Sequence, residues 1–331
     1  MTQQIALKSR PIGVTTADNF ETRTVDIPAI TIGQVRLMAH TFSVDPYLRG
    51  RMSDAKSYVA PFTVGEPIMG GVIARVIESC DDGFKTGDFV LGMLPWQEEM
   101  VVTASGLNVV NGNIAPLSYY LGILGMPGLT AYFGLLDIGK PLKGETVVVS
   151  GAAGAVGIVV GQIAKIFGCR VVGIAGDDKK VNYLLNELGF DYAINYKSEI
   201  NISNAIAAAC PDGVDIYFDN VGGVISDAVI AQINYKARII ICGQISLYNS
   251  TRIPVGPRPQ TALLKKSALM QGFIVTNYAS RFPEGFKALV NWVANGQLKY
   301  MNTTYYGFDK LPEAFIALFE GKNLGKMIVE V

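Results

Sequence analysis

Residues 144–168 read GETVVVSGAAGAVGIVVGQIAKIFG, and the succession of textures along them decides the fold. A continuous β-branched run comes first, glycines follow, and apolar residues then recur at helical spacing through Val160, Ile163, Ala164 and Phe167. That is a buried strand, a tight turn and a helix. Aligned to the pattern GxGxxG, the turn has Ala152 at the first position, Gly154 at the second and Gly157 at the third. The middle glycine is where backbone must approach a pyrophosphate, and the last lets the helix pack closely on the strand. Alanine at the first position keeps a small side chain but gives up the free choice of φ. With a helix beginning near Ala155 and Val156, its first N–H groups are expected to hold the pyrophosphate of a dinucleotide.

Outward from this loop the alternation repeats. CRVVGIAG (169–176) reads as a second buried strand, KKVNYLLNELG (179–189) as a helix ending at Gly189, and DYAINY (191–196) and VDIYFDNVGG (214–223) as further strands. ARIIICGQI (237–245) and LMQGFIV (269–275) add two more, giving the strand and helix rhythm of a doubly wound parallel sheet. Before it, from Gln34 to about Pro116, short alternating runs such as QVRLMAHTFSV and GDFVLGML are separated by Gly, Pro and Asp, the texture of a mostly β region. The tail from about Lys299 carries one helix and a final strand that is expected to return to that first region. The expected division is therefore 1–124 with 297–331, and 125–296.

Composition removes several classes of function. Lys plus Arg equals Asp plus Glu at 28 each, and only 17% of residues are charged, so no basic surplus attracts a polyanion and nucleic acid is not an expected partner. The first residues, MTQQIALKSRPIG, do not resemble a signal peptide, and no run of about 18 uninterrupted apolar residues occurs, so a soluble, cytoplasmic protein without a membrane partner is expected. The four cysteines, Cys80, Cys169, Cys210 and Cys242, form no CxxC pair and suit a reducing compartment. Zinc-dependent alcohol oxidation needs Cys and His ligands. With His40 as the single histidine, neither a catalytic nor a structural zinc site of the usual kind can be assembled, and no metal is expected.

The choice of nicotinamide cofactor rests on the end of the second strand, where a carboxylate commonly receives the ribose hydroxyls of NAD. Here Gly176 is small and uncharged; Asp177 and Asp178 keep NAD open, while Lys179 and Lys180 offer charge to a 2′-phosphate, and NADPH is favoured.

With these residues in place, the chain resembles the zinc-independent branch of the medium-chain dehydrogenase/reductases, and most closely the group containing prostaglandin reductase, alkenal double-bond reductases and curcumin reductase. The resemblance runs through SVDPYLRGRM (43–52), MGGVIARVIES (69–79), GMPGLTAYFGLL (125–136), the glycine loop, VVGIAGDDKKVNYLLNELGFDYAINYK (171–197), YFDNVGG (217–223), ICGQISLYN (241–249) and NLGKMIVEV (323–331). It implies a GroES-like β domain built from both chain ends, a Rossmann domain inserted between them, and cofactor and substrate in the cleft. It further implies Lys180 and Tyr196 near the adenosine phosphate, Asn220 and Val221 near the nicotinamide half with Cys242 and Gly243, and Phe273, Ile274 and Val275 beside the nicotinamide ring. Asn323 is implied to reach back to the cofactor. Tyr248 matches a tyrosine of carbonyl activation or proton delivery, and Tyr47 a second tyrosine of the cleft, with water left as another proton source.

The activity this implies is NADPH-dependent reduction of the carbon–carbon double bond in α,β-unsaturated aldehydes and ketones, by a homodimer paired through LMQGFIV. Quinone reduction and a non-catalytic NADP-binding role are the alternatives. The loops 53–62 and 246–262 would flank the substrate, and Tyr58, Phe62, Tyr248, Pro254 and Pro257 are expected to give an apolar pocket.

Overall fold

A computed structural model describes residues 1–331. It divides into two compact units, Met1–Leu121 with Asn302–Val331, and Gly122–Met301. The first opens with a hairpin of β1 (Thr2–Leu7) and β2 (Phe20–Val25), followed by β3 (Gln34–Ser43) and a five-residue helix α1 (Tyr47–Arg51). The alternating runs then form β4 (Met69–Ser79), β5 (Phe89–Pro95), β6 (Glu99–Thr103) and β7 (Asn108–Val110).

The second unit begins with α2 (Met126–Phe133), which runs into a wide helical turn at Gly134–Gly139. Gly134 is required there, because a Cβ would lie 2.6 Å from the Phe273 ring and 2.8 Å from that of Phe218. Strands β8 (Thr146–Ser150), β9 (Arg170–Ala175), β10 (Tyr192–Asn195), β11 (Val214–Asp219), β12 (Ile233–Ile241) and β13 (Leu269–Gly272) follow. They alternate with α3 (Gly157–Ile166), α4 (Asp178–Asn186), α5 (Ile202–Ala209), α6 (Gly223–Ile230) and α7 (Gln260–Lys266), and α8 (Phe282–Ala294) closes the unit. The six strands run parallel in the order β10-β9-β8-β11-β12-β13. Every residue of β8 is buried, as an uninterrupted apolar run demands when both faces are covered. The order reverses between β8 and β11, and in such sheets ligands collect beyond the carboxyl ends of the strands at that reversal.

After the second unit, β14 (Asn302–Tyr306), α9 (Leu311–Phe319) and β15 (Lys326–Glu330) return to the first. There β15 pairs with β14 in parallel and with β3 in antiparallel at Thr41–Ser43, while β6 pairs with β3 at Gln34–Met38 along the same edge, completing a seven-stranded sheet. Trp96, fully buried, stacks on Phe20 at 6.2 Å and meets Phe315 of α9 edge-on at 6.4 Å.

Three local expectations shift. Helix α3 starts at Gly157 rather than near Ala155, and Phe167 caps its C-terminus instead of continuing its buried face, with 39% of its surface exposed. Phe62 is core, with the Arg51 guanidinium 4.1 Å above its ring, so it offers no pocket wall. Pro254 and Pro257 line a cavity of about 640 Å³ with residues of α6 and α7, and Tyr248 is not among its lining.

Candidate active site

The glycine loop connects the buried β8 to α3. Gly157 tolerates no side chain, since its Cβ would fall 2.4 Å from the Gly151 carbonyl oxygen and 2.7 Å from the Cα of Ala152. At Gly154 the neighbouring carbonyl lies 3.2 Å from a built Cβ. Ala152, fully buried, donates its N–H to Ile174 of β9. No side chain caps α3, and the backbone N–H groups of Ala155, Val156 and Gly157 have no acceptor in the protein. A ten-residue helix thus presents its unsatisfied positive end at the sheet edge, where an anion completes it.

At the end of β9, Asp177 is the N-cap of α4: its Oδ1 accepts from the Lys180 N–H at 2.8 Å, and its other oxygen lies 3.9 Å from Lys180 Nζ. The carboxylate is engaged by its own helix. Lys179 is exposed, whereas the Lys180 side chain is turned in, with 12% of its surface accessible. Burial holds the Lys180 ammonium below its ordinary range; Asp177 opposes this and the charge of Lys197 adds to it. A Cβ on Gly176 would lie 3.1 Å from the Tyr196 ring and 3.4 Å from Cε of Lys197. Gly176, Lys180, Tyr196 and Lys197 therefore share one site, with two cations around a small floor. Sequence reasoning missed Lys197, although it follows Tyr196 directly.

The loops after β11 and β12 are laced together. The Asp219 carbonyl accepts from Cys242 N–H at 2.9 Å and Gly243 N–H at 3.1 Å, and the Val221 carbonyl from Ser246 N–H at 3.1 Å and its Oγ at 2.6 Å. Asn220 is tied to β8, its Nδ2 donating to the Ser150 carbonyl at 2.8 Å. Tyr248 folds back over this loop: its oxygen accepts from Gln244 N–H at 3.4 Å and lies 3.3 Å from where a Gly243 Cβ would stand, a point 3.4 Å from the Asn220 carbonyl. Tyr248, Asn220, Val221, Cys242 and Gly243 thus come together. Burial first, and the Asp219 charge second, push the Cys242 thiol up to about 12, so it stays neutral. Phe273 turns its ring toward Phe218, 6.4 Å away, leaving its backbone and those of Ile274 and Val275 as the groups that follow the end of β13.

Tyr47 and Asn323 belong to the first unit. Tyr47 heads α1, and its hydroxyl is buried without a hydrogen-bond partner. Burial, then the nearby Asp45 carboxylate, raise its pKa well above that of an ordinary phenol, so it is a proton-bearing group across the physiological range. In the loop before α1, Val44 and Asp45 meet Lys326, 1% exposed, whose Nζ donates to the carbonyls of Val44 and Met327, each at 2.8 Å, and lies 3.2 Å from Asp45 Oδ1. Asn323 donates to the Gly325 carbonyl at 2.9 Å in the turn that leads into Lys326. His40 sits 2.7 Å from Thr41 Oγ1 and edge-on to Phe89, the environment of a structural histidine.

These elements define a class: a GroES-like domain and a Rossmann domain of the medium-chain dehydrogenase/reductase type. The family described as the N-terminal domain of oxidoreductases matches residues 3–110, and that described as zinc-binding dehydrogenase matches residues 155–295. The chain belongs to this superfamily, in the group of prostaglandin, alkenal and curcumin reductases. It is 55% identical to YfmJ of Bacillus subtilis over 99% of this chain and 97% of the relative. It is 44% identical to the NADP(+)-dependent 2-alkenal reductase of Nicotiana tabacum over 87% and 84%. The solved structure of CurA from Vibrio vulnificus in complex with NADPH superposes with a TM-score of 0.94 at 44% identity, covering 99% of each chain. The protein is an NADPH-dependent reductase of this type. The name of the second matched family implies zinc, but no group of three or more His, Cys, Asp or Glu side chains is placed to hold a metal, and the residues do not fit one. No helix is long and apolar enough to cross a membrane.

Proposed function

We propose that the protein reduces the carbon–carbon double bond of α,β-unsaturated aldehydes and ketones. The observation that carries this reading is the Tyr248 hydroxyl, held against Gly243 beside Asn220 at the reversal point of the parallel sheet. NADPH, when bound, supplies the hydride, which a conjugated double bond accepts at its β carbon. Ala155, Val156 and Gly157 would hold its pyrophosphate through their free N–H groups. Lys180 and Lys197 would take the 2′-phosphate with Tyr196 and Gly176, while Asn220, Val221, Cys242, Gly243 and the backbone of 273–275 would line the nicotinamide half.

As the β carbon is reduced, negative charge grows on the substrate's carbonyl oxygen. A neutral hydroxyl aimed at that oxygen stabilises the charge without adding its own, and this is the role given to Tyr248. In the first unit, burial keeps the Tyr47 hydroxyl protonated, so it too is a group able to donate a proton. Hydrogen bonds from such hydroxyls would carry the activation.

The test is NADPH oxidation with a linear 2-alkenal, an aromatic enone and a simple quinone side by side. The expected outcome is consumption with the alkenal or enone and recovery of the saturated carbonyl; turnover confined to the quinone would defeat the proposal. The terminal strand β13, with Leu269 46% exposed, supports pairing of two copies edge to edge. Sedimentation is expected to show a dimer, and a monomer at micromolar concentration would refute it.

A further inference from the structure

We infer that Asp219 is the positioning residue of the nicotinamide half-site: its buried carboxylate fixes the ends of β8 and β11, and its main-chain carbonyl that of β12, in the shape that receives the cofactor. The inference rests on the assignment of Asn220, Val221 and Gly243 to that half-site. Asp219 is the last residue of β11 and has no exposed surface. Its Oδ1 accepts from Ser150 Oγ at 2.9 Å, Tyr217 Oη at 2.8 Å, Val221 N–H at 3.0 Å and Gly222 N–H at 2.9 Å. Its main-chain carbonyl takes the N–H groups of Cys242 and Gly243. One residue thus reaches the last residue of β8, the turn after β11 and the turn after β12.

An ordinary Asx turn would explain the bonds to Val221 and Gly222, but Asn or Ser on a wet surface would serve it. Burial of a carboxylate is costly even after relaxation, and its other oxygen here is buried with no hydrogen-bond partner. Burial first, and this charge second, raise the pKa of Tyr217, Cys242 and Asp227. What the charge secures is strength, since hydrogen bonds to an ionised acceptor are about twice as strong as neutral ones. The groups so held are the ones that bracket Asn220. Ser150 completes the clamp by accepting from Asn220 N–H at 3.0 Å, while Gly222 and Gly223, at φ of 72° and 61°, make the turn that aims the Val221 and Gly222 N–H groups inward.

The experiment compares two ligands by calorimetry: NADPH, which needs both half-sites, and 2′,5′-ADP, which reaches only the adenosine side. Asp219→Asn keeps the shape and one acceptor oxygen but removes the charge. It is expected to weaken NADPH about tenfold, the difference between charge-assisted and neutral hydrogen bonds, with 2′,5′-ADP affinity unchanged. Ser150→Ala, which leaves the carboxylate in place, is expected to show a smaller loss with the same selectivity, and it keeps the inference testable should the Asp219 variant fail to fold. Exchange of the Val221 and Gly222 amides with solvent deuterium is expected to accelerate in both. Undiminished NADPH affinity, or an equal loss for both ligands, would overturn the positioning role. Failure of 2′,5′-ADP to displace NADPH from the unmodified protein would instead overturn the division into half-sites on which it stands.

Discussion

The two units each hold a tyrosine to which the proposed function gives a role and also a buried charge, and they keep that charge in opposite ways. In the first, Lys326 is neutralised by Asp45 3.2 Å away and caps two carbonyls, so an ion pair ties β15 to the segment that leads into α1. In the second, Asp219 meets no cation and is held by two hydroxyls and two backbone N–H groups. The first arrangement stabilises a fold. The second shapes a loop, because its donors are the loop itself. A buried charge therefore says little until its partners are known: a partner on a distant strand marks architecture, and partners within a turn mark the geometry of that turn.

The largest effect that would break this comparison is expected at Lys326. Lys326→Ala leaves Asp45 without its cation and should cost about 3–5 kcal/mol, read as a shifted denaturant midpoint; a loss below 1 kcal/mol would mean the pair is ornamental. Tyr248→Phe should lower kcat on an enone about 100-fold, the typical worth of one donor to a developing oxyanion, with NADPH affinity intact. Unchanged turnover would return Tyr248 to packing. Lys180→Ala should weaken NADPH by about 1–3 kcal/mol and leave NADH almost untouched; equal losses would remove the phosphate contact. The smallest effect on stability is expected at Tyr47→Phe, where a hydroxyl without a partner is removed. Stability should stay within about 1 kcal/mol or rise, while turnover falls if the hydroxyl meets substrate.

The sequence carried the second unit well, because β8 through β13 are apolar runs punctuated by glycine, and Ala152, Gly154 and Gly157 announce their spacing locally. The positions of Gly176, just after β9, and of Lys180, in the first turn of α4, were legible for the same reason. Asp219 was not: it stands in the segment YFDNVGG, but nothing in the order of residues says that Ser150, 69 positions earlier, donates to it. Lys326 was missed as well, although a lysine opening an otherwise apolar strand was a visible anomaly. Lys197 required knowing that β10 and β9 are neighbours. Phe62 and Phe167 went the other way, since their apolar character fixes neither whether they face a core nor whether they face solvent.

The position of β15 has a consequence for biosynthesis. Val44 and Lys326 are 282 residues apart along the chain, yet the strand Lys326 opens lies inside the first unit's sheet, between β14 and β3. While the ribosome makes the second unit, the end of β3 at Thr41–Ser43 waits with one edge unpaired, open to wrong partners, although β6 already covers the rest of that edge. The parallel sheet has all its own strands before that and can fold first. Removing residues 326–330 would then take out an interior strand rather than shorten a tail, and the nascent first unit is the part most in need of a chaperone.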